Sequence, residues 1–292
     1  MIIDKFIFRN MANMKSRLFA AVLLYILSTT GCNAQTKEIE SAPKNGDVGK
    51  IDLYDKSAVN VIDTNATIQI IGRNYTWSEG PVWIAAKQML LFSDVRQNRI
   101  YQWNMKDTPV LYLTPSGYTD TAFRNGENGS NGLAIDNDGK LLLCQSGDRH
   151  VARLNAPIDA PKPQFTVLAP NYHGKRFNSP NDLVVDTRNN IYFTDPIYGL
   201  PDGEKDPSRE LSFEGVYKIS ATGKISLLID SISRPNGIAL SLDEKILYVG
   251  SSDEKHTRWY AFYLDKKGNI QSGGVLLDGT AMKEKATVNR QR

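Results

Sequence analysis

The stretch EGPVWIAAKQMLLFSD, Glu79–Asp94, decides the fold, because its pattern returns along the chain at intervals of about fifty residues. The later copies are NGLAIDNDGKLLLCQSG from Asn131, NDLVVDTRNNIYFTD from Asn181 and NGIALSLDEKILYVGSS from Asn236. Each opens on a polar residue, runs apolar, turns at Asp, Asn, Gly or Lys, and runs apolar again. A strand–turn–strand unit recurring every roughly 40–50 residues is the pattern of propeller blades. A third segment follows each unit: NRIYQWN from Asn98, RHVARLN from Arg149, GVYKIS from Gly215 and RWYAFYLD from Arg258. These alternate polar and apolar residues, as a strand with one wet face must. No convincing 3.6-residue period is found between Ile51 and Leu277, so residues 51–278 read as one all-β domain.

The repeat also carries a functional expectation. It places Glu79, Asn131, Asn181 and Asn236 at equivalent positions. In a ring of blades, equivalent inner-strand positions converge on the central channel. There a carboxylate and several amides can surround one hard cation. The same residues have structural uses: Asn before Gly or Asp is a turn former, a reading that weighs on Asn131 above all. Asp195, in FTDP, either reaches the channel from a central strand or caps the turn that begins at Pro196.

Composition excludes more than it selects. The chain has 292 residues, 41% hydrophobic and 23% charged, with a formal net charge of +3. Its basic residues are interspersed with acids, so no nucleic-acid face is expected. His150, His173 and His256 stand far apart, and no G-x-S-x-G elbow is present. A histidine metal centre and a Ser–His–Asp hydrolase are both disfavoured. His173 is assigned to a surface loop.

The N-terminus reads as an address rather than a fold. MKSRLFAAVLLYILSTTGC, from Met14, carries Lys15 and Arg17 ahead of an apolar run from Leu18 to Leu27, too short to span a bilayer. Thr29-Thr30-Gly31-Cys32 resembles a bacterial lipobox, which would make Cys32 a lipid anchor and the chain an exported lipoprotein. A periplasmic or cell-surface location, with Asn33 favouring the outer membrane, is the expectation. Residues 1–32 are thus an export signal and residues 33–50 a polar tether. Cys144, within LLLC, is left without a disulfide partner and reads as a small buried hydrophobe.

Four motifs in order, WSEGPVW, SPNDLVVD, IYFTDPIYGL and RPNGIALSLDEKILYV, resemble the gluconolactonase or SMP-30/regucalcin-like family of six-bladed propellers. FNSPND followed by YFTDPIYGLPDG resembles the bacterial gluconolactonases in particular. The resemblance spans about Asn74 to Asp278. It implies hydrolysis of a sugar lactone assisted by a divalent cation, usually Ca²⁺, at the base of the channel. It also implies Glu79, Asn181 and Asn236 as cation ligands, from the EGPVW, PND and PNG motifs. Glu79, Asn181 and Asp195 are then the candidate catalytic residues, and Asn131, Arg176 and Tyr198 candidates for contacting sugar hydroxyls.

One family ligand, an Asp from a DGM-type motif, has no counterpart. Beyond Leu277-Asp278 the sequence runs GTAMKEKATVNRQR, and residues 279–292 read as a disordered tail. At about fifty residues per repeat, residues 51–278 hold between four and five blades. The expectation is therefore a propeller lacking its last blade or more, with weak or absent activity. Two other functions stay open: a non-catalytic surface propeller that binds a sugar or protein, and hydrolysis of another ester or phosphoester.

Overall fold

The computed structural model describes residues 4–6, 51, 53 and 55–280. Apart from residues 4–6, the expected export signal with Cys32, the expected tether and all but the first two residues of the expected tail lie outside the described residues. Among the described residues, no helix is long and apolar enough to cross a membrane. The chain divides into two compact units, essentially Ile2–Arg73 and Asn74–Arg292.

In the smaller unit, β1 (Asp4–Phe6) pairs antiparallel with β2 (Ile68–Ile70). A 3₁₀ turn, Lys56–Asn60, starts at Asp55, whose carboxylate accepts the Ser57 main-chain N–H at 2.7 Å.

The larger unit contains four four-stranded antiparallel sheets, each made of consecutive strands. The first is β3 (Ser78–Ile84), β4 (Met89–Asp94), β5 (Arg99–Trp103) and β6 (Val110–Leu113). The second is β7 (Ser130–Ile135), β8 (Leu141–Gln145), β9 (His150–Leu154) and β10 (Phe165–Ala169). The third is β11 (Leu183–Val185), β12 (Ile191–Asp195), β13 (Gly215–Ile219) and β14 (Ile225–Ile229). The fourth is β15 (Pro235–Leu240), β16 (Ile246–Ser251), β17 (Arg258–Leu264) and β18 (Ile270–Asp278). Each copy of the sequence repeat is thus the inner hairpin of one blade, and each alternating third segment is its third strand. The fold is an all-β propeller.

Why these residues make blades is plainest in β8. Successive side chains of a strand point to opposite faces. Leu141 and Leu143 enter a core with Ile84, Leu91 and Ile100 of the first sheet. Leu142 and Cys144 enter a different core, with Leu183, Phe193 and Tyr217 of the third. A strand buried on both faces must be apolar throughout, which is why LLLC does not alternate. Cys144 is wholly buried, and burial pushes its thiol well above its ordinary pKa, as an inert packing residue requires. A third core joins Tyr192 and Val216 to Ile238, Leu247 and Val249 of the fourth sheet. Each fully buried Leu, Ile or Phe in these layers contributes about 1.5–3 kcal/mol.

Three hairpin turns, those joining β7 to β8, β11 to β12 and β17 to β18, close in the same way. Asp136 N–H donates to Lys140 O, Asp186 N–H to Asn190 O and Asp265 N–H to Asn269 O, at 2.8–3.0 Å. Within each loop the Asp side chain accepts further main-chain N–H groups. Gly139, Asn189 and Gly268 supply the left-handed residue that such a loop needs.

Candidate active site

The site is built where neighbouring inner strands meet. Regular pairing breaks between Glu79 and Val82, between Ser130 and Leu133, and between Pro235 and Ile238. These irregularities coincide with the motif residues, and a bulge re-aims side chains that a flat ladder would send elsewhere. Adjacent backbones also touch. A Cβ on Gly80 would lie 2.1 Å from the Asn131 carbonyl oxygen, and one on Gly132 would lie 2.7 Å from that of Asn181. The Gly132 N–H in turn donates to Asn181 O at 2.6 Å.

Hydroxyl groups stitch each blade to the next. Ser93 Oγ donates to Asn131 O at 2.9 Å, Ser146 Oγ to Pro180 O at 2.7 Å, and Thr194 Oγ1 to Asn236 O at 2.7 Å. The main chains around all three candidate asparagines are therefore held from the neighbouring blade. Asn131 and Asn181 are only 4% and 5% exposed, yet their carboxamides make no hydrogen bond to any described residue. A buried amide left without a protein partner is unusual, and it is what a ligand site contains.

Glu79 supplies the charge. Its Oε1 accepts the Trp77 indole N–H at 3.1 Å. Burial pushes its carboxyl up to about 7; the negative charges of Glu127 and Asp182 add to the rise, and the Trp77 hydrogen bond opposes it. Asp182, beside Asn181, is pushed up to about 6 by burial, against the N–H groups of Ile238 and Leu183. By accepting from Ile238 it clamps the third blade to the fourth.

Glu127 was not legible in the repeat, because it lies in the connection between the first two blades, Thr114–Gly129, outside the strand–turn–strand pattern. Its one sequence signal is a lone carboxylate in the glycine-rich run NGENGSNG just ahead of Asn131. Its Oε2 is buried without a hydrogen-bond partner. Burial raises its pKa, while Arg96 and Arg124 pull it back.

The structure links Tyr198 to Asn236. The Tyr198 hydroxyl shares a 2.6 Å hydrogen bond with Ser252 Oγ, and Asn236 Nδ2 donates to that same Oγ at 3.3 Å. With its nitrogen engaged there, the Asn236 amide turns its oxygen away from Ser252. Arg176 is placed otherwise: it is exposed and ion-paired to Glu210 at 2.5 Å, and among the described residues no hydrogen bond ties it to Asn131, Asn181 or Asn236.

Asp195 is wholly buried, and both its oxygens are occupied. Oδ1 accepts the Ser179 N–H and Oδ2 the Asn178 N–H, each at 2.8 Å. Burial pushes it up to about 7 against these hydrogen bonds. Asp94 ends the corresponding strand of the first blade and accepts the Trp77 and Thr76 N–H groups in the same manner. The shared arrangement fixes the loop that leads to Asn181 in one blade and to Glu79 in the other.

Among the described residues, no three His, Cys, Asp or Glu side chains cluster as a metal-binding group. A cation here would have to draw on amide oxygens as well. The donors present suit a hard divalent ion: all are oxygens, two amides are unpartnered, and the half-buried Glu79 lacks a countercharge.

Known proteins can now be compared with this geometry. The profile of the SMP-30/Gluconolactonase/LRE-like region matches residues 77–286, which include every blade described. A gluconolactonase of Zymomonas mobilis is 36% identical over 256 residues, covering 86% of this chain and 71% of that protein. A solved gluconolactonase from Xanthomonas campestris superposes with a TM-score of 0.57 at 32% identity, covering 69% of this chain and 63% of that one. Regucalcin from Agrobacterium tumefaciens, described as a calcium-binding protein, gives a TM-score of 0.52 at 18% identity, with coverage of 72% and 62%; it shows the fold alone. The chain thus spans less than two thirds of the length of both solved structures. With the profile running through all four blades and the inner-strand motifs in register, the chain belongs to the SMP-30/gluconolactonase/LRE-like family.

Proposed function

We propose that this chain hydrolyses a sugar lactone at the inner ends of its blades, using a divalent cation, Ca²⁺ for preference, held by Glu79, Asn181 and Asn236. The observation that carries this is a buried Asn181 carboxamide without a hydrogen-bond partner, together with a half-buried Glu79 whose charge no cation offsets, in a chain 36% identical to a gluconolactonase. When bound, such an ion polarises a carbonyl and acidifies a coordinated water.

The chain's own residues do the rest. Trp77 holds one Glu79 oxygen through its indole N–H, leaving the other for the ion. Ser252 holds the Asn236 amide nitrogen, and Tyr198 holds Ser252. Asn131, with its main chain fixed by Ser93, presents a free carboxamide suited to a sugar hydroxyl. Asp195 acts as a positioning residue, because its oxygens are consumed in setting the Asn178–Asn181 loop. Export as a lipoprotein through Cys32 is part of the same reading; it rests on the signal-like sequence from Met14.

The test is acid release from glucono-δ-lactone by the purified chain, followed with a pH indicator. Hydrolysis should disappear with EDTA and return with Ca²⁺. Hydrolysis unaffected by chelation would remove the cation. No hydrolysis with any divalent ion would leave the binding propeller as the better account.

A further inference from the structure

We propose that Glu127 is a second carboxylate of the cation site, acting with Glu79 on the same ion; this rests on the cation reading above. Glu127 Oε2 is buried and has no hydrogen-bond partner, and the same is true of Oδ1 of the adjacent Asn128. Leaving a buried acceptor unpaired costs about 1–3 kcal/mol, and more when it is charged. Both orphans accept only, so whatever satisfies them must bring positive charge or hydrogen-bond donors.

Nearby arginines do not fill that role. Arg124 spends its guanidinium on the carbonyls of Glu127 and Gly199, at 2.8 and 2.5 Å. Arg96 lies over the Trp77 ring, 5.5 Å from its centroid. Neither is ion-paired to Glu127 among the described residues.

The Glu127 loop is tied to the Glu79 strand: Val95, whose carbonyl anchors Gly129, donates its own N–H to Trp77 O at 2.9 Å, and the Trp77 indole N–H donates to Glu79 Oε1 at 3.1 Å. The charge of Glu127 accordingly acts on Glu79. The loop that presents Glu127 is rigidly tied: Asn128 Nδ2 donates to Arg124 O at 3.0 Å, Gly129 N–H to Val95 O at 2.5 Å, and Ser130 N–H to Ser116 Oγ at 3.0 Å. Two like charges held together by a fixed scaffold are unfavourable alone and favourable around a divalent ion. With Glu127 the protein charge facing the ion rises from −1 to −2, which is the change that strengthens Ca²⁺ binding.

The experiment is calorimetric titration of CaCl₂ into the metal-free chain, its Glu127→Gln variant, and a surface control, Asp159→Asn. Circular dichroism and thermal unfolding without metal verify the fold. The proposal expects Glu127→Gln to weaken Ca²⁺ binding about 10–100-fold, with metal-free stability equal or higher because repulsion with Glu79 is gone. Asp159→Asn should bind as the parent does. Should Glu127→Gln unfold, Glu127→Asp keeps the charge but retracts the oxygen, and should still bind more weakly. Parent-like affinity in the folded variant would overturn the role of Glu127 and leave the cation site standing. Absence of Ca²⁺ binding by the parent would overturn both.

Discussion

Thr194 and Asn236 belong to different blades, and the Thr194 hydroxyl donates a 2.7 Å hydrogen bond to the Asn236 carbonyl. Ser93 and Asn131 repeat the relationship one pair of blades earlier, at 2.9 Å. The second strand of a blade thus sets where the next blade's motif asparagine stands. Packing between sheets brings the blades together, but these bonds fix the main chain at the motif asparagines.

Thr194→Val, nearly isosteric, removes this bond to the Asn236 carbonyl and also the one that the Asp182 N–H donates to the same hydroxyl at 3.1 Å. Unfolding in urea should show a loss of about 1–3 kcal/mol. If Asn236 is a cation ligand, Ca²⁺ affinity should fall as well. Unchanged affinity with reduced stability would confine the bond to a structural role.

Gly132→Ala places a methyl group 2.7 Å from the Asn181 carbonyl oxygen and the Asp182 Cα. Both obstacles are main chain held by other bonds, so the inner strands must separate. A destabilisation of about 1–3 kcal/mol or more is expected, seen as a lower denaturant midpoint. Gly139→Ala meets no atom within 4 Å and suffers only its positive φ, so a loss of about 1–2 kcal/mol is expected there.

Asp195 makes stability depend on pH. Its folded pKa, about 7, lies above the ordinary 3.8, so the folded state holds a proton that the unfolded chain has released. Its contribution is complete below about pH 4 and is lost as pH rises to about 7; the full effect is about 4 kcal/mol. Unfolding free energies at pH 5 and pH 8 should differ less in Asp195→Asn than in the parent. That variant should also be weaker at pH 5, since an amide cannot accept both loop N–H groups.

Glu79→Gln bears on the cation directly. Ca²⁺ affinity should drop at least about 10-fold, because the site loses a carboxylate and keeps neutral amides. Metal-free protein above pH 7 should gain stability, since a buried charge worth about 3 kcal/mol is removed. A variant that binds Ca²⁺ as the parent does would place the ion elsewhere.

Much of the fold was legible because burial leaves a periodic trace. The copies beginning at Glu79, Asn131, Asn181 and Asn236 mapped onto four inner hairpins, and the alternating segments onto the third strands. The same repetition singled out the four motif residues as equivalent. Arg176 was drawn in from its nearness to the SPND motif, yet the loop carries its side chain to Glu210 instead. Asp195 had two readings from sequence, reaching the channel or capping the turn at Pro196; its carboxylate accepts the N–H groups of Asn178 and Ser179, a loop that neither reading named. Glu127 left no trace in the repeat, because it lies in a connection between blades, outside the strand–turn–strand pattern.

By itself, the sequence determined the blades, their order and which polar residue opens each inner strand, since these follow from local hydrophobic period and turn chemistry. Only the tertiary structure decided which side chains remain free to bind. Whether an amide or carboxylate is spent on a neighbour depends on contacts between residues far apart in the chain. Asn181 and Glu127 were left unpartnered, whereas Asp195 and Arg176 were not.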